Sequence, residues 1–452
     1  MAFTGVRPGP VDRGTFERFK ASINPAWIEE ALSTTGKASV RKRRLPADQV
    51  CWLVLGMALF RNLSIEEVVR QLDLALPASS GGEVVPSAIA QARARLGADP
   101  MRWLFERTAS EWGHRSARKW AWRGLAVYGM DGTTIRVPDS EENRAHYGPT
   151  KARGGARGLS GYPLVRAVTL MALRSHLLVR ASFGPYTSSE GAYAKDLWPM
   201  VPNDSLVVVD RNFFGAPTLI PLVRDGQNRH WLTRAKSNHT WTRVKKLGPG
   251  DELVAMNVST HARAADPTLK AASPWVMRAI RYKRRGFRPQ TLLTSLTDHK
   301  AYPASEIVEL YHERWEIELG FNEVKSEMLE REESIRSRKP GGVEQELWGL
   351  LLAYNLVRLE MERVAEEAGV TPTRISFVAA LRLVRTTLLG LVFANPGVIP
   401  KRLEQLRADI THFVLPERRT HRRYPRAVKL KMSSYDRKRP AGEHRRRRRP
   451  AK

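Results

Sequence analysis

Residues 303–330 read PASEIVELYHERWEIELGFNEVKSEMLE. Helical spacing of apolar residues after Pro303, with Leu310, Phe321 and Val324 among them, predicts one long amphipathic helix from Pro303 to about Glu330. At about 100° per residue, Tyr311, Arg314, Glu318 and Lys325 share a stripe about 60° wide. The other acids of the central turns, Glu313, Glu316 and Glu323, fall on the opposite side. A surface salt-bridge ladder would account for Arg314 and Glu318 as an i,i+4 pair, but gives no reason for Tyr311 and Lys325 on the same stripe.

Upstream of this helix the pattern is strand-like. Runs at 125–130, 164–173 and 176–183 are followed by a short helical piece from Glu190, a strand at 206–209 and another near 230–234. Three strands, a helix, a strand, a helix and a fifth strand describe a mixed five-stranded α/β sheet. The order resembles a ribonuclease-H-like fold, interrupted by an inserted β region at about 238–298 with strands at 242–247, 252–258, 275–282 and 291–296.

Residues 46–113 read as helices: an apolar one at 47–60, a second opened by the capping box Ser64–Glu67, and two starting at Ser87 and at Asp99-Pro100. With Arg61, Arg70, Arg93 and Arg95 on polar faces, they suit a DNA-binding domain and an ordinary helical scaffold equally. Two or three helices follow at 340–395, and periodicity fades from 396 onward. The expected organisation is a helical N-terminal part (1–120), the first part of the catalytic core (121–237), the inserted region (238–298), the helix completing the core (299–335), a helical C-terminal part (336–416) and a disordered basic tail (417–452).

The 452 residues carry 75 Lys and Arg against 46 Asp and Glu, a formal +29, with a hydrophobic fraction of 42% that suffices for real cores. So large an excess calls for a polyanionic partner. The longest apolar stretch, CWLVLGMALF at 51–60, is too short to span a bilayer, and no export signal is visible. One cysteine, Cys51, excludes an intrachain disulfide framework and suits a reducing cytoplasm. Sixteen Lys and Arg against three acids give residues 417–452 a net +13, leaving +16 on the rest, as expected of a body that presents surface to something acidic, nucleic acid or an anionic membrane. Gly154-Gly155 lies in a basic loop without a Gly-Lys-Ser/Thr ending, so it is no nucleotide-binding loop, and no histidine pair has zinc-ligand spacing.

Asp131 follows the strand-like run 125–130 and Asp210 follows 206–209, each a charge placed where an apolar strand leaves the core. Singly, Asp131-Gly132 reads as a turn and Asp210 as a helix cap. With Glu318 they make an oxygen-rich set suited to hard divalent cations, and two such ions serve in-line phosphoryl transfer. Arg314 and Lys325 would hold phosphates beside them, and Tyr311 would hydrogen-bond or stack on a nucleotide.

The motifs Asp131-Gly-Thr, Asp210-Arg-Asn-Phe213 and Tyr311-x2-Arg314-x3-Glu318-x6-Lys325 resemble those of DDE transposases of bacterial insertion sequences, in the insertion-sequence-four family. Residues 41–72 and 342–361 look like that family's N-terminal domain and helical C-terminal part, so the likeness spans roughly residues 20–435. It implies a ribonuclease-H-like core with an inserted β domain, and Asp131, Asp210 and Glu318 as ligands of two Mg²⁺ ions, for which Mn²⁺ would substitute. Tyr311, Arg314 and Lys325 would grip the transposon-end backbone, with Arg211 beside Asp210 among the DNA-binding residues. The implied reaction is hydrolysis at the element's 3′ ends and attack of the freed 3′-hydroxyls on target DNA, carried out by a homodimer on DNA in the bacterial cytoplasm. In relatives a DNA hairpin intervenes, with an aromatic of the insertion stacking on a flipped base; Trp241, Trp275 and Phe287 stand in that region, and each also suits a core. A nuclease of the same fold that cuts without joining, and a catalytically inactive DNA-binding relative, are the alternatives.

Overall fold

The computed structural model describes residues 23–38, 44–74, 84–148, 161–270, 272, 274–284, 288–330, 334–391 and 399–416. The basic tail, the loop around Gly154-Gly155 and Phe287 lie outside the described residues. Among the described residues five helices come first: α1 (Pro25–Thr34), α2 (Ala47–Leu59), α3 (Ile65–Gln71), α4 (Pro86–Leu96) and α5 (Asp99–Lys119). Then follow β1 (Ala126–Arg136), α6 (Glu141–Tyr147), β2 (Leu164–Ala172), β3 (Leu178–Pro185), α7 (Glu190–Lys195), β4 (Ser205–Val209), α8 (Ala216–Arg224) and β5 (Arg229–Arg234). The next stretch holds β6 (Thr242–Gly248), β7 (Asp251–Met256), α9 (Thr260–Ala265), β8 (Trp275–Tyr282) and β9 (Gln290–Thr294). After α10 (Ala304–His312) and α11 (Trp315–Asn322) comes a π-helical segment, Glu323–Met328, and the C-terminal helices are α12 (Pro340–Glu367), α13 (Phe377–Leu391) and α14 (Ile399–Thr411).

The strands form one mixed sheet in the order β3-β2-β1-β4-β5-β9-β8-β7-β6. β1, β4 and β5 run parallel and the remaining pairings are antiparallel. The four strands of the inserted region therefore do not fold apart from the core: β9 pairs with β5, and β8, β7 and β6 carry the same sheet outward. Alternation along β1 sends Tyr128 and Met130 into one hydrophobic cluster and Val127 and Ile135 into the other.

The second of these clusters runs without a break through the N-terminal and C-terminal helices. Its axis is α12, about 42 Å long at 1.5 Å per residue and buried over most of its length. Helix α2 is apolar all round, with Val50 through Leu59 buried, so it must be covered on every side. It lies against α12 at Gly349, where a Cβ would meet Val54 Cγ1 at 2.4 Å. The helix expected from Asp99 runs further than the sequence signals suggested, to Lys119, and residues beyond 396 are not aperiodic, since α14 packs Leu406 and Ile410 into the core.

The expectation of one continuous helix from Pro303 to Glu330 needs correction. Between α10 and α11 the amides of Glu313, Arg314, Glu316 and Ile317 donate three residues back, an overwound turn, and beyond Asn322 the chain underwinds into π geometry. Tertiary contacts set this path. Ile317 packs on Gly129 of β1, where a Cβ would lie 2.2 Å from Ile317 Cδ1 and 2.6 Å from Leu173 Cδ2. Gly320 similarly leaves room for Met171 and Tyr354.

Substitution Gly129→Ala should therefore destabilise the protein by about 1–3 kcal/mol through overpacking beneath α11, read as a lower urea midpoint with an unchanged slope.

Candidate active site

β1 does not end at Asp131. Its antiparallel pairing with β2 continues through Asp131↔Thr169 to Arg136↔Leu164, whereas its parallel pairing with β4 stops at Met130↔Val209. Asp131 thus stands mid-strand where the sheet opens on one side, and the turn suggested by Asp131-Gly132 does not form. Gly132 has a different use. A Cβ there would sit 2.7 Å from Glu190 Cγ and Cδ, so glycine lets the first residue of α7 lie against the strand. Glu190 is a fourth carboxylate beside the site that no sequence pattern singled out.

Asp210 follows β4 directly. Its side chain accepts from Asn212 N at 2.9 Å and caps a short 3₁₀ turn, so the capping reading was correct as far as it went. Continuing the β1–β4 register by one residue sets Asp210 beside Asp131, and continuing β4–β5 (Val208↔Leu232) sets Arg234 beside Asp210. Arg234 acts electrostatically on Tyr311, and sequence reasoning had passed over it.

Arg314 joins the strands to the helix. Its guanidinium donates to Asp131 Oδ2 at 3.1 Å and to Glu318 Oε1 at 2.7 Å. The i,i+4 pair is real, and it is one arm of a bridge to the sheet. Burial pushes the Asp131 carboxyl up to about 6, with Glu190 and Asp210 adding repulsion, against the Gly132 amide and Arg314 pulling it down. Burial likewise raises the Tyr311 hydroxyl, which lies within the fields of Arg314, Arg234 and Asp210. For Arg314 burial works the other way, but hydrogen bonding to Glu318 and the neighbouring anions raise it above its ordinary value.

Tyr311, Arg314 and Glu318 are thus brought together with Asp131 and Asp210. Lys325 sits half-buried on the π segment with no acid in ion-pairing distance among the described residues, and Arg211 is exposed on the 3₁₀ turn. The acids do not form a preassembled metal cage: among the described residues no three His, Cys, Asp or Glu side chains converge closely enough. Their chemistry still fits a hard cation, because the donors are carboxylates and the space between Asp131 and Glu318 already holds a positive charge, that of Arg314.

At neighbouring residues the geometry favours the scaffold and core readings that the sequence had offered. Arg61 and Arg93 do not lie on free polar faces. Arg61 donates to Glu346 Oε1 at 3.0 Å and Arg93 to Gln345 Oε1 at 2.9 Å, tying the N-terminal helices to α12. Trp275 stacks on Phe214 at 5.2 Å beside Trp231, and Trp241 packs on the same cluster, so both serve the core. No helix among the described residues is long and apolar enough to cross a membrane.

Comparison with known proteins adds to this geometry. A family model for the insertion element 4 transposase N-terminal region matches residues 13–106, and one for the transposase DDE domain matches residues 122–356, the span that holds Asp131, Asp210 and Glu318. The curated transposase InsG for insertion sequence element IS4 of Escherichia coli (strain K12) is 37% identical over 414 residues, 91% of this chain and 92% of the relative. The putative transposase InsZ of the same strain is 37% identical over 221 residues, 49% of this chain and 72% of the relative. Among solved structures, the cryo-EM structure of the piggyBac transposase synaptic complex with hairpin DNA aligns with a TM-score of 0.42 at 12% identity, covering 90% of this chain and 86% of that one. The class is therefore that of transposases with a DDE domain. Within it, the chain belongs to the insertion element 4 family.

Because Arg314 is the counter-charge of two carboxylates, Arg314→Ala should lower stability in the presence of a chelator by about 1–2 kcal/mol, measured by urea unfolding at pH 7.5.

Proposed function

We propose that this transposase binds the terminal inverted repeats of its own element, hydrolyses the DNA at the 3′ ends and joins the freed 3′-hydroxyls to target DNA, working as a homodimer so that two ends are processed together. The core would be ribonuclease-H-like, with Asp131, Asp210 and Glu318 holding the metal ions. The observation that carries this reading is the Arg314 bridge, which ties the strand aspartate to the helix glutamate beside Asp210.

When bound, two Mg²⁺ or Mn²⁺ ions would activate the attacking oxygen and neutralise the leaving one. The carboxylates would hold those ions, and Arg314, released from Asp131, would turn its donors to a phosphate. In the first step water attacks phosphorus and the bond to the element's 3′ oxygen breaks, leaving a 3′-hydroxyl. In the second that hydroxyl attacks a target phosphate and a target 3′ oxygen leaves. Tyr311, Arg234, Arg211 and Lys325 position the backbone, while the N-terminal helices and the basic tail add affinity for DNA.

The test is incubation of the purified protein with Mg²⁺ and DNA bearing the inverted repeats. Asp131→Ala, Asp210→Ala and Glu318→Ala should each lose roughly 10³-fold or more in end cleavage, the several kcal/mol a catalytic metal supplies, while still binding DNA. Cleavage by any of the three at the parent rate would refute the site, and a parent that cuts without joining would leave a nuclease.

Lys325→Ala should lower the slope of log affinity against log salt by about one phosphate contact with metal absent, as read by fluorescence anisotropy on an end fragment. An unchanged slope would remove Lys325 from the interface.

A further inference from the structure

The acids on the far side of the helix, Glu313, Glu316 and Glu323, have no part in the chemistry above, yet each has a basic partner. Arg174 grips Glu313 through bonds of 2.9 and 2.8 Å. His176 Nε2 lies 2.8 Å from Glu316 Oε2. Glu323 pairs with Arg358 and accepts from Tyr354 Oη at 2.8 Å. Arg358 also donates to His176 Nδ1, which leaves the ring proton on Nε2, directed at Glu316.

The result is one continuous chain, Glu323–Arg358–His176–Glu316. Its two basic members are each 1% exposed, and they come from α12 and from the turn between β2 and β3. A buried ion pair is an uneconomical way to add stability, and its better-attested use is to fix one geometry among several.

The helix needs such a device. Glu316 and Glu323 are seven residues apart, and Glu318 and Lys325 follow them by two residues each. Between the two pairs the winding changes from α to π, at Glu323 itself. The angle between Glu318 and Lys325 is therefore not set by helical regularity; it follows from where Glu323 is anchored.

We propose that the Glu323–Arg358–His176–Glu316 chain is a positioning clamp that fixes the rotation of this helix and so aims Glu318 at the strand-edge aspartates and Lys325 at the DNA. The proposal rests on the functional reading of Glu318 and Lys325 given above. The four clamp residues act through those two and touch no substrate.

The experiment compares the full-length parent with Glu323→Ala, Glu323→Gln and Glu316→Ala, at a temperature where all are folded. Amide hydrogen exchange, the Mg²⁺ concentration for half-maximal cleavage of preformed end complexes, and the salt slope of end binding are measured. In Glu323→Ala, exchange across 315–328 should rise about tenfold with β1 and β4 unchanged, the Mg²⁺ requirement should rise about tenfold, and the slope should fall by about one contact. Adding Lys325→Ala to it should lower the slope no further, and Glu323→Gln, which keeps the hydrogen bonds, should recover most of each loss. If Glu323→Ala does not fold, Glu316→Ala carries the same expectations for exchange and Mg²⁺ requirement. A parent-like Mg²⁺ requirement and slope, exchange accelerated evenly over the whole chain, or Glu323→Gln as impaired as Glu323→Ala would overturn the clamp. A parent that fails to cut would instead sink the functional reading, and exchange confined to 315–328 would still decide for or against the clamp.

Discussion

The bridge from Arg314 to Asp131 and Glu318 is where sheet and helix become one site. A carboxylate in the middle of a strand, flanked by Asp210 and Glu190, is short of water and long on negative charge, and its pKa is pushed up to about 6 as a result. Such a group needs a cation. Arg314 is the one supplied by the fold, and it is held on the helix by the same glutamate that the metal reading requires. The opposition between a body rich in positive charge and a pocket rich in negative charge is thus resolved locally by a single side chain.

Small residues make that contact possible. Gly129 lets Ile317 descend onto β1, Gly320 admits Met171 and Tyr354, and Gly132 admits Glu190. Behind the helix, α12 contributes Tyr354 and Arg358 and, further along, Gln345 and Glu346, which hold the N-terminal helices through Arg93 and Arg61. One long buried helix therefore ties the N-terminal helices to the back of α11 and the π segment.

Much of this was legible in the sequence. Among the described residues strand periodicity located the strands to within a few residues, except that β1 runs six residues beyond its expected end to Arg136, and the spacing of Tyr311, Arg314 and Glu318 identified the face that meets the sheet. What escaped has physical reasons. The break at Glu313-Arg314 and the π segment go with packing on Gly129 and the anchoring of Glu323, neither of which is a local signal. Asp131-Gly132 looked like a turn because the dipeptide favours one, but cross-strand pairing with β2 overrode the preference. The sequence left Arg61 and Arg93 open between DNA binding and scaffold because their partners lie some 250 residues or more away. Glu190 escaped because its meaning depends on Gly132 across the sheet.

In the proposed reaction Asp131, Asp210 and Glu318 together would receive the metal ions, with Arg314 giving way. Electron paramagnetic resonance of Mn²⁺ titrated into the protein on its end DNA tests it most directly. Binding should be saturable, and lost or weakened at least tenfold in each of Asp131→Ala, Asp210→Ala and Glu318→Ala. Parent-like Mn²⁺ binding in all three would contradict it.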